Sequence, residues 1–248
     1  MTLWEHVKYL FRRIFLPNSL RTMEWQMLKL LNKDRKKHGL KPVRMQEDLR
    51  IVARKHSKDM ARKDYFEHEN IQGKTPFDRL EEARVTDVVA GENLAKIRGY
   101  KNPVIEAEIG LMNSPGHRAN ILHKAYNTVG IGIITSVDKS FYYTQNFASR
   151  DLLFKKKFPN KTTLKRGLRI RGQAFASAKK IIYQVKRHIK DEKPLFEEVV
   201  YLNKKTFDFN VYFKDIGIFY VLIYVDKGDG KTFKAVNKFE IKVRKGLW

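Results

Sequence analysis

The 248-residue chain has no cysteine, so no disulfide can staple it and its fold rests on buried apolar surface and hydrogen bonds. A disulfide-free protein is stable in reducing and oxidising compartments alike, so this absence leaves the compartment open. There is no run of about 18 apolar residues, the length a membrane-spanning helix needs, and none is expected. The first residues lack the charged start, clean apolar core and small-residue cleavage site of an export signal, so none is read there. Neither Gly-x-Ser-x-Gly nor His-Glu-x-x-His occurs, which removes the nucleophile elbow and the helical zinc-protease pattern. Acid is scarce: 27 Asp and Glu stand against 51 Lys and Arg, for a net charge of +24. The excess is spread along the chain, +10 over residues 1–150 and +14 over 151–248.

A field of that size attracts polyanions such as nucleic acid, anionic lipid or the acidic polymers of a cell envelope. No nucleic-acid motif accompanies the charge, which speaks against nucleic acid and favours lipid or envelope polymer. General solubility is the plainer explanation of the same charge. An apolar share of 42% with 31% charged residues is that of a folded chain, and the length suits two domains.

Residues 1–17 read as an amphipathic helix. Leu3, Val7, Leu10, Phe11, Ile14 and Phe15 share one stripe and Lys8, Arg12 and Arg13 lie off it, with Pro17 as the stop. Such a helix either packs on its own protein or lies on an anionic membrane. Residues 18–150 read as α+β. Asn18 or Ser19 caps a helix running to about His38 before Gly39, and a further helix spans Gln46 to Lys63 with Leu49, Val52, Ala53, His56 and Met60 on one face. Thr75-Pro76 and Asn102-Pro103 each open a helix, the second reaching about Asn113. Thr128 to Ser136 and Ser140 to Ala148 form a hairpin across Val137-Asp138-Lys139, with a third strand near Val88. Helices followed by antiparallel strands give the α+β class.

Residues 151–248 change texture. Lys155 to Lys161 reads as a solvated linker or edge. Short runs follow at Leu168–Phe175, Ile181–Val185, Phe196–Leu202, Thr206–Phe213, Gly217–Val225 and Phe233–Val243, separated by turn signals. They predict a small, basic, immunoglobulin-like antiparallel β-sandwich.

Four segments stand out in order. They are Asp64-Tyr65-Phe66-Glu67-His68-Glu69-Asn70 leading to Gly73-Lys74-Thr75-Pro76-Phe77-Asp78-Arg79-Leu80; Gly91-Glu92-Asn93-Leu94-Ala95; Asn113-Ser114-Pro115-Gly116-His117-Arg118-Ala119-Asn120; and Gly130-Ile131-Gly132 with Tyr142-Tyr143-Thr144-Gln145-Asn146-Phe147. Together they resemble the CAP superfamily of cysteine-rich secretory and pathogenesis-related proteins, in its disulfide-free bacterial or archaeal branch. The resemblance covers about 130 residues and leaves the last 98 unassigned.

The resemblance implies an α-β-α sandwich with an open cleft, and export to the cell surface or beyond. Animal and plant members hold two His and two Glu in that cleft and can coordinate zinc. Carried over by position, His68 and Glu92 match two members of that tetrad, while Ser114 and Tyr142 occupy the other two places. Zinc needs three or four His, Cys or carboxylate ligands. His117 is the candidate that would join His68 as a metal ligand, with zinc as the one cofactor the resemblance allows.

The cleft set is therefore His68, Glu92, Asn93, Ser114, His117, Tyr142 and Gln145. Catalysis, if present, would draw on His68, Glu92, Ser114 and His117, a histidine beside a carboxylate being half of an acid–base apparatus. His56, on the apolar face of its helix, reads as a hydrogen-bonded core residue, and the amides of Asn93, Asn120 and Gln145 as braces of loops.

The expected function is non-enzymatic binding of a small, lipidic or peptide ligand in the cleft, with the basic β-domain serving attachment or partners. The alternatives are a His/Glu-dependent or metal-assisted hydrolase of protein or cell-wall material, and a polyanion-binding protein using the CAP fold as scaffold.

Overall fold

The computed structural model describes residues 19–175, 178–226, 228–229 and 231–246. The amphipathic helix expected over residues 1–17 lies outside the described residues. The chain divides into two compact units: residues up to Ala83 with Ala90–Ala148, and Arg84–Val89 with the residues from Ser149 onwards.

The first unit begins with α1 (Leu20–Lys37), where the Ser19 hydroxyl accepts from Thr22 N at 3.2 Å and Gly39 follows the end with φ +71°. A two-residue strand, β1 (Arg44–Met45), leads into α2 (Glu47–Lys63). Next come α3 (Pro76–Glu82), β2 (Ala90–Ile97), α4 (Pro103–Asn113), α5 (Pro115–Ile121), β3 (Thr128–Thr135) and β4 (Phe141–Ala148). The Thr75 and Asp78 side chains form a reciprocal capping box at the start of α3, as the Thr-Pro-Phe-Asp sequence requires. The hairpin is β3–β4. The third strand starts at Ala90, whereas Val88 donates its N–H to Val236 O at 3.0 Å within the second unit.

The sheet order is β1-β3-β4-β2, parallel at β1–β3 and antiparallel elsewhere. Its registers put Glu92, Gly130, Gly132, Thr144 and Asn146 on one face and Asn93, Ile131 and Gln145 on the other. Helices α2 and α3 cover the first face; α4 and α5 cover the second, with α1 packed on α4. Gly130-Ile131-Gly132 is the contact that sets the sandwich thickness. A Cβ on Gly130 would lie 2.1 Å from Leu49 C and one on Gly132 2.2 Å from Arg54 N, so α2 presses its backbone onto bare strand. Two buried polar knots lock the helices. Glu24 of α1 takes both Arg50 and Arg54 of α2, and Arg35 donates to Lys41 O, Ile121 O, His123 O and Tyr126 O at 2.7–3.1 Å.

The second unit is two sheets face to face, and the α+β layout with a β-sandwich following it is the observed fold class. One sheet orders β10 (Thr206–Val211), β7 (Leu168–Ala174) and β5 (Leu152–Phe154). The other orders β6 (Lys161–Thr163), β12 (Phe233–Arg244), β11 (Gly217–Asp226), β8 (Lys180–Lys186) and β9 (Phe196–Tyr201). Ile170, Phe207, Val221, Ile223, Phe239 and Ile241 fill the space between them. The Lys155–Lys161 stretch, expected to be a solvated linker or an edge, is exposed apart from Phe158 and leads into β6, an edge strand of the five-stranded sheet. Phe158 within it is buried and stacks on Phe239 with ring centroids 3.9 Å apart, and β6 begins at Lys161. Arg84–Val89 belongs to this unit through Lys238 N to Thr86 O at 2.9 Å and the buried Arg150–Asp87 ion pair at 2.7 Å.

Candidate functional site

The site is built around Glu92 on β2, whose side chain is 2% exposed. A buried carboxylate needs counter-charge and hydrogen bonds to remain ionised. Arg79 Nη2 donates to Oε2 at 2.7 Å and His68 Nδ1 lies 2.9 Å from Oε1. With the Asn146 amide nitrogen turned towards Glu92, it donates to Oε2 at 3.0 Å. A carboxylate only accepts, so Nδ1 of His68 carries the proton, on a ring that is 51% exposed.

Local sequence explains why His68 is held there. The Asn70 side chain accepts from Gln72 N and Lys74 N at 3.0 and 2.9 Å, an Asx turn completed by Gly73 at φ +75°. Arg79 then ties the turn to α3, donating through Nη1 to His68 O at 2.7 Å and Lys74 O at 2.9 Å. His56 supports the preceding residue, with Nε2 at 3.1 Å from Glu67 O. It is buried on α2, which lowers its proton affinity despite the nearby Glu92 charge, as expected of a core histidine.

His117, half-buried on α5, has its proton affinity lowered first by burial and then by His68. Ser114 caps α5 through its carbonyl, which accepts from Arg118 N at 2.8 Å; its hydroxyl is not joined to His68 or His117.

Three residues of the expected cleft set are buried and committed to partners within the fold. Asn93 and Gln145 are fully buried on the other face of the sheet. There Asn120 donates to Asn93 Oδ1 at 2.9 Å, and Asn93 donates to Gln145 Oε1 at 3.1 Å and to His117 O at 3.0 Å. They brace the segment carrying His117 rather than meet a ligand, because amide alternation along β2 and β4 sends them away from Glu92. Tyr142 is 1% exposed, packs with Met60 and Leu94, and donates to Asp64 at 3.2 Å. Gln145 also reaches Glu108 at 3.4 Å, a buried carboxyl raised to about 8 by desolvation and then by the charge of Asp34.

The residues do not fit zinc. Both oxygens of Glu92 are taken, Tyr142 is committed elsewhere, and two imidazoles fall short of the three or four ligands required. Among the described residues no group of three or more His, Cys, Asp or Glu side chains is arranged to hold a metal ion.

Sequence reading missed Arg79, although it sits inside a quoted motif. The signal was available in principle: a glutamate on a strand that reads as buried demands a cation, and a capped helix three residues after the His68 turn supplies one. A cavity of about 400 Å³ flanks the cluster, lined by Val52, Lys55, His56, Asp59, Lys74 and Arg79 among others but not by His68, Glu92 or His117.

The model of the family described as CAP, the cysteine-rich secretory protein family, matches residues 28–147. The chain is 37% identical over 134 residues to YkwD of Bacillus subtilis, covering 54% of this chain and 50% of that protein. It is 40% identical over 129 residues to YlbC of the same organism, named as a membrane protein, covering 52% of this chain and 35% of that one. The chain thus spans half or less of the curated relatives it matches. Among solved structures, an extracellular SCP-domain protein from Bacillus anthracis is 34% identical, with a TM-score of 0.46, over 52% of this chain and 41% of that one.

Proposed function

Residues 28–147 belong to the CAP family, and from that premise we propose a binding module of the cell envelope or extracellular space. A small ligand with an apolar part packs against the exposed ring of His68. The observation that carries the reading is the use made of Glu92: Arg79 and His68 consume its two oxygens, so the pair presents one oriented imidazole edge rather than a metal or a free carboxylate. Exposed Phe66, Ile71 and Phe77 lie on the same segment as His68 and give it exposed apolar surface. The family's description as secretory, and a relative named as a membrane protein, support the placement. Among the described residues no helix is long and apolar enough to cross a membrane. The basic second unit serves attachment to anionic envelope polymer or lipid.

The test is a titration of the intact protein with fatty acids, sterols and short apolar peptides, followed by protein NMR. Binding should weaken at least tenfold in His68→Ala and Phe66→Ala and stay unchanged in His188→Ala, a surface histidine of the other unit. Equal affinity in parent and His68→Ala would sink the reading. The His68–Glu92 dyad at 2.9 Å also favours a second reading, acid–base hydrolysis of peptide or wall material. Turnover abolished in His68→Ala, at unchanged stability, would replace the first reading with it.

A further inference from the structure

We propose that the second unit carries a pocket for the phosphate groups of a phosphate-linked polymer, formed between the Lys155–Lys161 turn and the turn joining β6 to β7. This deepens the attachment role proposed above by giving it a site and a ligand chemistry.

The cavity measures about 380 Å³, at the small end of ordinary ligand pockets. Lys155 to Lys157 and Lys161 line one side and Arg166, Arg169 and Arg171 the other, and no carboxylate lines it. Arg169 is already committed to Asp208, holding both its oxygens at 2.8 Å, and Lys157 has a partner of its own. A single phosphate brings at most about two charges, so the other five lining cations, Lys155, Lys156, Lys161, Arg166 and Arg171, are matched only by several phosphates in succession. Guanidinium forks are suited to such groups and lysines add charge without strict geometry.

The walls are fixed rather than waving. Lys155 N donates to Arg171 O at 2.8 Å, Lys242 N donates to Asn160 O at 3.0 Å, and Phe158 anchors the turn between them in the core. On the other wall Gly167 N donates to Thr163 O at 3.0 Å and the Thr162 hydroxyl donates to Gly167 O. Gly167 takes φ +60°, and a Cβ there would meet Val211 O at 2.6 Å. Pinning the turns removes the backbone share of the ordering cost on binding and leaves only that of the side chains. The two rings that line the cavity are spent: Phe158 stacks on Phe239, and Phe154 packs edge-on against Phe158 and Phe207 at 4.6 and 5.8 Å; the exposed ring of Tyr212 lies beside Gly167 but is not part of the lining. With neither lining ring free for a base to stack on, the cavity itself favours a polymer without nucleobases over single-stranded nucleic acid.

Fluorescence anisotropy of the intact protein with labelled inorganic polyphosphate tests this. The pocket pair Lys156→Glu with Arg166→Glu is compared with the control pair Lys190→Glu with Lys193→Glu, which changes the charge of the same unit equally at other exposed sites. The pocket pair should weaken binding at least tenfold and reduce the slope of log affinity against log salt by about one or more. The control pair should cost under threefold, and the corresponding alanine pairs should keep that order. Equal losses from both pairs would overturn the pocket while leaving general attachment standing. No saturable binding by the parent at low salt would overturn both, and tighter binding of a single-stranded oligonucleotide than of polyphosphate would overturn the ligand class.

Discussion

His68 and Arg79 divide one carboxylate between them, His68 at Glu92 Oε1 and Arg79 at Oε2. The two are not equivalent, because the side chain of Arg79 is 9% exposed and that of His68 51%.

Arg79→Met leaves a buried carboxylate without its cation and also unties the His68 and Lys74 carbonyls. Loss of one partner of a buried pair costs about 3–5 kcal/mol, against about 1 kcal/mol or less for His68→Ala at the surface. Urea unfolding of both variants at pH 7 should show that order; similar losses would mean that Glu92 is not held as an ion by Arg79.

Glu108 sets a second prediction, in pH. Its carboxyl is raised from 4.5 to about 8, so between those values the folded form keeps a proton that the unfolded form has released. The contribution is complete below about pH 4.5 and is lost as pH rises to about 8, with a slope of about 1.4 kcal/mol per pH unit. Glu108→Gln should flatten that slope and make the protein more stable than the parent at pH 8. A parallel pair of stability profiles would show that Glu108 ionises in the folded state at its ordinary value.

The glycines of the Gly-Ile-Gly strand should be irreplaceable for a steric reason. Gly132→Ala places its methyl 2.2 Å from the backbone of α2 and should cost at least about 3 kcal/mol, since neither strand nor helix can retreat. Gly110→Ala, inside α4 with nothing within 4 Å, should instead stabilise by about 0.5–1 kcal/mol. Thermal unfolding of the two variants checks both signs at once.

Phe158→Ala should destabilise the second unit by about 3–5 kcal/mol, whereas Lys156→Ala two residues earlier should be neutral within about 0.5 kcal/mol. Hydrogen exchange across β12 would report the difference directly, because Phe158 stacks on Phe239 of that strand. Equal protection in the two variants would return Lys155–Lys161 to the status of a loose linker.

Local signals made much of this fold readable. Ser19, Thr75-Pro76 and Asn102-Pro103 mark helix starts by chemistry that acts within a few residues, and the β-runs of the second unit alternate or cluster apolar residues over the lengths later observed. At the candidate site, His68 and Glu92 came from matched motifs, and their contact is real. What escaped reading was non-local. Glu24 with Arg50 and Arg54, Arg35 with four carbonyls, and Arg79 with Glu92 are charged residues that look solvated in sequence and become buried only when distant elements meet. Strand parity also matters: Asn93 and Gln145 adjoin Glu92 and Asn146 in sequence, and for that reason point the opposite way.

Arg84–Val89 hydrogen-bonds to a strand synthesised long afterwards, with Asn237 donating to Thr86 across 151 residues of separation. A ribosome therefore releases the stretch between α3 and β2 well before its partner exists. The nascent chain carries that segment until about 150 further residues have been made, and truncation after residue 150 would remove its partner strand for good.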